Sequence, residues 1–182
     1  VAVSPAGLVH VGGATASRGF PTSGGAFDTT HNGGTDAFAL ALSASGATLS
    51  HGTFLGGSGN DAAYGIALDR SDRAYLTGVA ATGFPTTSGV YDSTLGGSTD
   101  AFLARVDGGA LGLSTLLGGS SNESGQAVAV DPATGESYLT GSTASTDFPV
   151  ASATQGSSGG GTDAFIARLN ATATSLQFGS YL

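Results

Sequence analysis

"GGTDAFALAL" at 33–42 is followed by "GGSTDAFLARV" at 96–106 and "GGGTDAFIARL" at 159–169, three near-copies of one phrase in a chain of 182 residues. A phrase that returns at even spacing marks a repeated structural unit, and other landmarks can test the period. The Phe-Pro pair falls at Phe20-Pro21, Phe84-Pro85 and Phe148-Pro149, in steps of 64 and 64. The Thr-Asp-Ala-Phe block starts at Thr35, Thr99 and Thr162, in steps of 64 and 63. "VAVSPAGLVHVGG" at 1–13 matches "IALDRSDRAYLTG" at 66–78 and "VAVDPATGESYLTG" at 128–141, and "HGTFLGG" at 51–57 matches "LSTLLGG" at 113–119 and "LQFGSYL" at 176–182. The chain therefore reads as one array, 1–182, of three repeats: 1–65, 66–127 and 128–182.

Each repeat parses into four short strands, because runs of β-branched, aromatic and aliphatic residues are bounded by Gly, Pro, Asp and Ser. In the second repeat the strands are expected over 65–69, 73–79, 100–106 and 111–117. The first two are joined by a tight turn, "DRSDR" in the second repeat and "DPATGE" in the third, with the Asp, Pro and Gly that turns favour. An excursion of about twenty residues carrying the Phe-Pro pair separates the second strand from the third, long enough to be the natural place for a function. No window shows a helical period. In the third strand Phe102, Ala104 and Val106 face one side and Ala101, Leu103 and Arg105 the other, so both faces are largely apolar and both must be covered. The expected fold is all-β, a β-propeller-like array of three four-stranded antiparallel blades stacked face to face through small residues.

The ordered elements "IAxD", "YLTG", "FP" and "DAFxAR", followed by "LGGSGND", resemble the bacterial seven-bladed β-propeller repeat family over all 182 residues. The resemblance implies a propeller-like fold in a secreted or surface protein and implies no single activity. The first repeat departs most: Ser4 stands where Asp69 and Asp131 stand, Gly12 where Thr77 and Thr140 stand; elsewhere "SSNESG" replaces "SGNDAA".

Composition narrows the classes of function. Forty per cent of residues are apolar, enough for a core, and only 10% are charged, with thirteen acids, five arginines, no lysine and a net charge of −8. A nucleic-acid partner needs a basic stripe that this composition does not provide. No run of about 18 apolar residues is present to form a membrane-spanning helix. The lack of Cys, Met and Trp removes disulfides and thiolate metal sites. No charged and apolar leader precedes Val1, so the chain is expected to be a mature piece of an exported protein.

Chemical motifs are sparse. Asp36, Asp100 and Asp163 recur once per repeat after a glycine-rich turn, where a carboxylate caps backbone N–H groups, and together with Phe20, Phe84 and Phe148 they are assigned a repeat-structural role. "GGSGND" at 56–61 looks like a calcium-binding glycine-aspartate repeat, yet such sites stack consecutive nonapeptides and the period here is near 64. His10, His31 and His51 lack zinc-ligand spacing, and no Ser, His and acid constellation stands out. No catalytic, cofactor or metal residue is therefore assigned. Asn122-Glu123-Ser124 and Asn170-Ala171-Thr172 are N-glycosylation triplets, which makes Asn122 and Asn170 the candidate sugar attachment sites. Tyr64, Tyr75, Tyr91 and Tyr138 are the residues able to stack on a bound glycan.

The expected role is a non-enzymatic structural or adhesive module, extracellular or at the cell surface. Its partners would be copies of itself or adjacent repeats, with glycans as further ligands, and the assembly a closed ring or a filament. The alternatives are a carbohydrate- or calcium-binding propeller, and part of a propeller hydrolase or lyase, which would need a polar cluster that breaks the repeat symmetry. Val1 and Leu182 flank the place where other repeats have a ten-residue connection, so the apolar faces of the end blades are expected to meet further blades. With five arginines as the only tryptic sites, native protein is expected to resist trypsin.

Overall fold

The computed structural model describes residues 1–182 and consists of twelve strands. They form three separate four-stranded antiparallel sheets in simple chain order. Blade 1 contains β1 (Ala2–Val3), β2 (Val9–Thr15), β3 (Asp36–Leu42) and β4 (Leu49–Leu55). Blade 2 contains β5 (Ala62–Leu68), β6 (Ala74–Ala80), β7 (Asp100–Asp107) and β8 (Ala110–Leu117). Blade 3 contains β9 (Glu123–Val130), β10 (Ser137–Thr143), β11 (Asp163–Leu169) and β12 (Leu176–Tyr181). The expected all-β array of three blades is the observed architecture.

One expectation shifts. The first strands of blades 2 and 3 begin at Ala62 and Glu123, so positions 65/66 and 127/128 fall inside β5 and β9, and the breaks between sheets lie at 56–61 and 118–122. The cause is a bulge in each strand: Ala63 pairs with Gly78 and Gly65 with Thr77, which skips Tyr64, and Gln126 is skipped in β9 in the same way. An extra residue reverses the in-out alternation, so the strand's opening residues do not read as continuous with the rest.

Two cores hold the array together, and each lies between neighbouring blades. The first joins Ala37, Ala39 and Leu55 of blade 1 to Leu76, Phe102 and Ala104 of blade 2. The second joins Tyr75, Leu103 and Leu117 of blade 2 to Leu139, Phe165 and Ala167 of blade 3. In β7 both faces are therefore covered, as the sequence requires. In β3 the residues Ala37, Ala39 and Ala41 are buried while Phe38, Leu40 and Leu42 are only half-buried; in β11 the alternation is opposite, with Phe165, Ala167 and Leu169 buried and Ala164, Ile166 and Arg168 open. Close approach needs small residues: a Cβ on Gly65 of β5 would lie 2.9 Å from the Cα of Ala127 in β9.

The Phe-Pro landmark is a packing device. Phe20, Phe84 and Phe148 stack on Phe38, Phe102 and Phe165, the aromatic residues of the repeated phrase, with ring centroids 4.4, 4.5 and 4.6 Å apart. From there the excursion runs along the outer edge of its own sheet. Phe54, Leu116 and Tyr181 of the fourth strands donate their N–H groups to the carbonyls of Asp28, Asp92 and Gln155 in the excursions. The hydroxyls of Thr53, Thr115 and Ser180 donate to the same three carbonyls. The segment that the sequence sets aside for function thus covers backbone edges that would otherwise be free to pair.

Candidate functional site

The most polar buried structure lies where the fourth strand of one blade passes to the first strand of the next. The aspartate of the repeated phrase begins the third strand and caps the loop before it. Asp36 accepts N–H bonds from Asn32 and Gly33 at 2.7 and 3.1 Å, and Asp100 accepts from Gly96 and Gly97 at 3.1 and 3.4 Å. Asp163 accepts from the Ser158 hydroxyl at 2.6 Å and the Gly159 N–H at 3.1 Å.

A second acid in each connector completes the arrangement. Asp61 accepts from the N–H groups of Gly57 and Ala81 at 2.8 and 2.6 Å, which ties the connector to the excursion of blade 2. Glu123, at the matching place after blade 2, accepts from the Gly119 N–H at 2.8 Å and from the Thr143 and Ser145 hydroxyls at 2.6 and 2.7 Å. Its extra methylene lets it reach side-chain donors where Asp61 reaches a main-chain one. Asp36, Asp61, Asp100 and Glu123 are all fully buried. Burial pushes the Asp100 carboxyl up to about 6, and the negative charges of Glu123 and Asp92 push the same way, against the two glycine N–H bonds. Asp61 is raised for the same reasons, burial first, with Asp36 as the neighbouring charge.

Glycines make the approach possible. Side chains at Gly96 and Gly97 would overlap the carbonyls of Gly119 and Ser121 in the following connector, whereas Gly160 and Gly161 of blade 3 face open space. This accounts for the opening phrase: its glycines receive a connector, its aspartate caps the loop, and its Phe receives the Phe-Pro ring.

The arrangement engages its acids with backbone and hydroxyl donors, two bonds each at Asp36, Asp61 and Asp100 and three at Glu123. No group of three or more His, Asp or Glu side chains is placed to hold a metal ion. The missed residues of this region are Asp61 and Glu123; their signal was an acid four places after the second glycine of "GG" in both connectors.

The histidines lie elsewhere. His10 is 1% exposed with neither ring nitrogen hydrogen-bonded, and the His51 ring centroid is 5.7 Å from its own. His31 packs edge-on against Phe54. Of the four tyrosines considered for glycan stacking, Tyr75 is buried in the second core and cannot serve, Tyr91 and Tyr138 are half-buried, and Tyr64 is exposed. Asn122 is exposed in the connector. Asn170 has its amide engaged in a turn: Oδ1 accepts from the N–H groups of Thr174 and Ser175, and Nδ2 donates to the Thr174 hydroxyl.

A polar recess of about 270 Å³ between hairpins is lined by Asp69, Arg70, Arg73 and Asp131, with Asp69 and Arg73 paired at 2.6 Å, and a larger one of about 390 Å³ is lined by Thr87, Arg105 and Thr174 among others. A shallow apolar recess of about 210 Å³ opens on the outer face of blade 3 between Tyr138, Ile166, Arg168 and Phe178.

The sequence model of a family described as a beta-propeller repeat matches residues 114–149. The match runs from β8 through the connector, β9 and β10 to the Phe-Pro pair, so it takes in Glu123 and both of its hydroxyl donors. No curated protein matches the chain.

Proposed function

We propose that this beta-propeller repeat array is a non-enzymatic structural or adhesive module, extracellular or at the cell surface, that associates through its two end faces with further blades. Those blades are adjacent repeats of the same polypeptide or second copies of the chain. The observation that carries this reading is the opposite burial of β3 and β11. Blade 1 leaves open the Phe38, Leu40 and Leu42 side, whose counterparts in blade 2 are covered by blade 1. Blade 3 leaves open the Ile166 and Arg168 side, whose counterparts in blade 2 are covered by blade 3. The two open faces are therefore the two halves of a contact that the molecule already makes twice.

Extracellular placement rests on the acidic, lysine-free composition and on the family resemblance. A sugar on an exported form belongs at Asn122, whose side chain is free, before Asn170, whose amide is already bonded. Intact-mass measurement of protein from its native source checks this, with the bare polypeptide mass as the contrary result.

Light scattering and negative-stain microscopy of the isolated chain test association. Species larger than the 17.5 kDa monomer are expected, in ring or filament form. Ile166→Asp, on an open face, should return them to monomer without unfolding. A wild-type chain that stays monomeric at high micromolar concentration would rule out association between copies, and a tandem fusion of further repeats whose added blades stay separate from the end faces, with no gain in stability over the three-blade chain, would end the proposal.

A further inference from the structure

Blade 1 breaks the repeat at one three-residue spot. Across the second, third and fourth strands, blade 2 has Tyr75, Arg105 and Leu113 side by side, and blade 3 has Tyr138, Arg168 and Phe178. Blade 1 has His10, Ala41 and His51, with Ala41 paired to both histidines. In blade 2 the arginine is held by Asp107, Nε and a terminal nitrogen donating at 2.9 and 3.0 Å. In blade 1 the short alanine side chain lies between the two imidazoles in the sheet, and their centroids are 5.7 Å apart with planes inclined by 60°.

This spot faces blade 2. His10 lies on the same side of its sheet as Ala39, which belongs to the core between blades 1 and 2. Neither nitrogen of His10 has a partner, and neither does Oδ1 of Asp72, a buried atom in the β5–β6 turn of blade 2. The surroundings contribute little else. Ala2 of β1 and Ala41 of β3 flank His10 in the sheet, and Gly109 of the β7–β8 turn lies against His51. Asp72 is the acid that acts on His10, and the charge that acts on His51 is that of His10 itself.

A neutral imidazole can be packed there, but a cation at His10 would be buried with neither ring nitrogen bonded and beside a second titrating ring. Burial lowers both histidines below their ordinary value, with Asp72 opposing at His10 and His10 adding at His51. We propose that the contact between blades 1 and 2 is proton-sensitive: His10 and His51 are held neutral while the blades are packed and take up protons when they part, so acidification loosens blade 1. The sign follows from linkage. With folded values below 6.5, the contribution of the pair is fully present above that pH and is lost as pH falls through the window beneath it. Asp61, at the other end of the same contact, is raised and acts in the opposite sense, so overall melting does not isolate the pair.

The test reads the two rings and the strands that carry them, and it does not depend on whether the chain associates. Ring titration by NMR is combined with amide exchange of β2 and β3 at pH 7.5 and pH 5, corrected for intrinsic rates. The same exchange is measured in His10→Tyr/His51→Leu, which installs the residues of blade 2. In the wild type both rings should titrate below the ordinary histidine value. Protection at Ala39 and Ala41 should be lower at pH 5 than at pH 7.5, and the double variant should lose most of that fall. An equal fall in the double variant would overturn the proposal. So would ring values at or above 6.5, a measurement that needs only the wild-type protein.

Discussion

The two contacts between blades are built from the same parts and differ in what they do with charge. Both have a glycine pair receiving a connector, a buried aspartate at the head of the third strand, and an aromatic stack. The contact between blades 1 and 2 adds Asp61, bonded only to backbone N–H groups, and the His10–His51 pair. The contact between blades 2 and 3 adds Glu123, bonded to two hydroxyls, with Tyr75, Arg105 and Leu113 where the histidines would be. Parts common to both contacts set blade geometry. The shared frame has a pH response of its own at Asp100, which burial raises, and the contact between blades 1 and 2 adds to it a pair of histidines that burial lowers.

The sharpest way to separate covered from uncovered faces is to make one substitution at matching positions. Leu103 in β7 is buried against blade 3, and Ile166 occupies its place in β11 on an open face. Leu103→Ala should cost about 2–5 kcal/mol in urea unfolding, against less than about 1 kcal/mol for Ile166→Ala in the monomer. Similar losses at both would mean that Ile166 is covered within the monomer.

At the connector, Glu123→Ala leaves the Thr143 and Ser145 hydroxyls and the Gly119 N–H without their acceptor inside the molecule. A loss of about 2–3 kcal/mol is expected, with Glu123→Asp intermediate because it is one methylene short. If Glu123→Asp matches the wild type, the reach assigned to the longer side chain is wrong.

Asp100 gives a pH effect of the opposite sign to the histidines. Its folded value of about 6 lies above the ordinary 3.8, so the folded state binds a proton that the unfolded state does not between those two values. Stability contributed by this group therefore rises as pH falls from about 6 to 4. Moving from pH 7 to pH 5, the wild type should gain on the order of 1 kcal/mol relative to Asp100→Asn. An unchanged difference between the two proteins would contradict the assigned charge state.

The smallest effect concerns proteolysis. Arg18 and Arg70 are exposed in loops, while Arg105 and Arg168 lie within β7 and β11. Native protein should be cut by trypsin first at Arg18 and Arg70, and Arg105 should survive until unfolding. This narrows the resistance expected from the scarcity of arginine alone. Early cleavage at Arg105 would show that β7 opens without global unfolding.

Much of the fold was legible because the repeat is local. The period of the Phe-Pro and Asp-Ala-Phe landmarks counted the blades, and the two-sided apolar pattern of 100–106 showed that sheets must stack. The rest depended on contacts distant in sequence. Nothing local says that Phe84 lies on Phe102, that residues 85–92 run along β8, or that Glu123 turns back to Thr143 and Ser145. Tyr64 and Gln126 hid the start of their strands because a bulge looks like a break in alternation. The histidine pair was visible only as an absence of metal spacing, since its meaning comes from Ala41 between the rings and from the blade packed above them.

The opposite burial of β3 and β11 also gives the array a direction. Its two ends are unlike, so under the proposed association a copy adds head to tail and each unit offers one contact of each kind. An Ile166→Asp chain keeps the blade 1 face and loses the blade 3 face. Mixed with wild type, it would join a growing end and offer nothing to the next unit, acting as a terminator: small fractions of it should shorten assemblies far out of proportion to its amount.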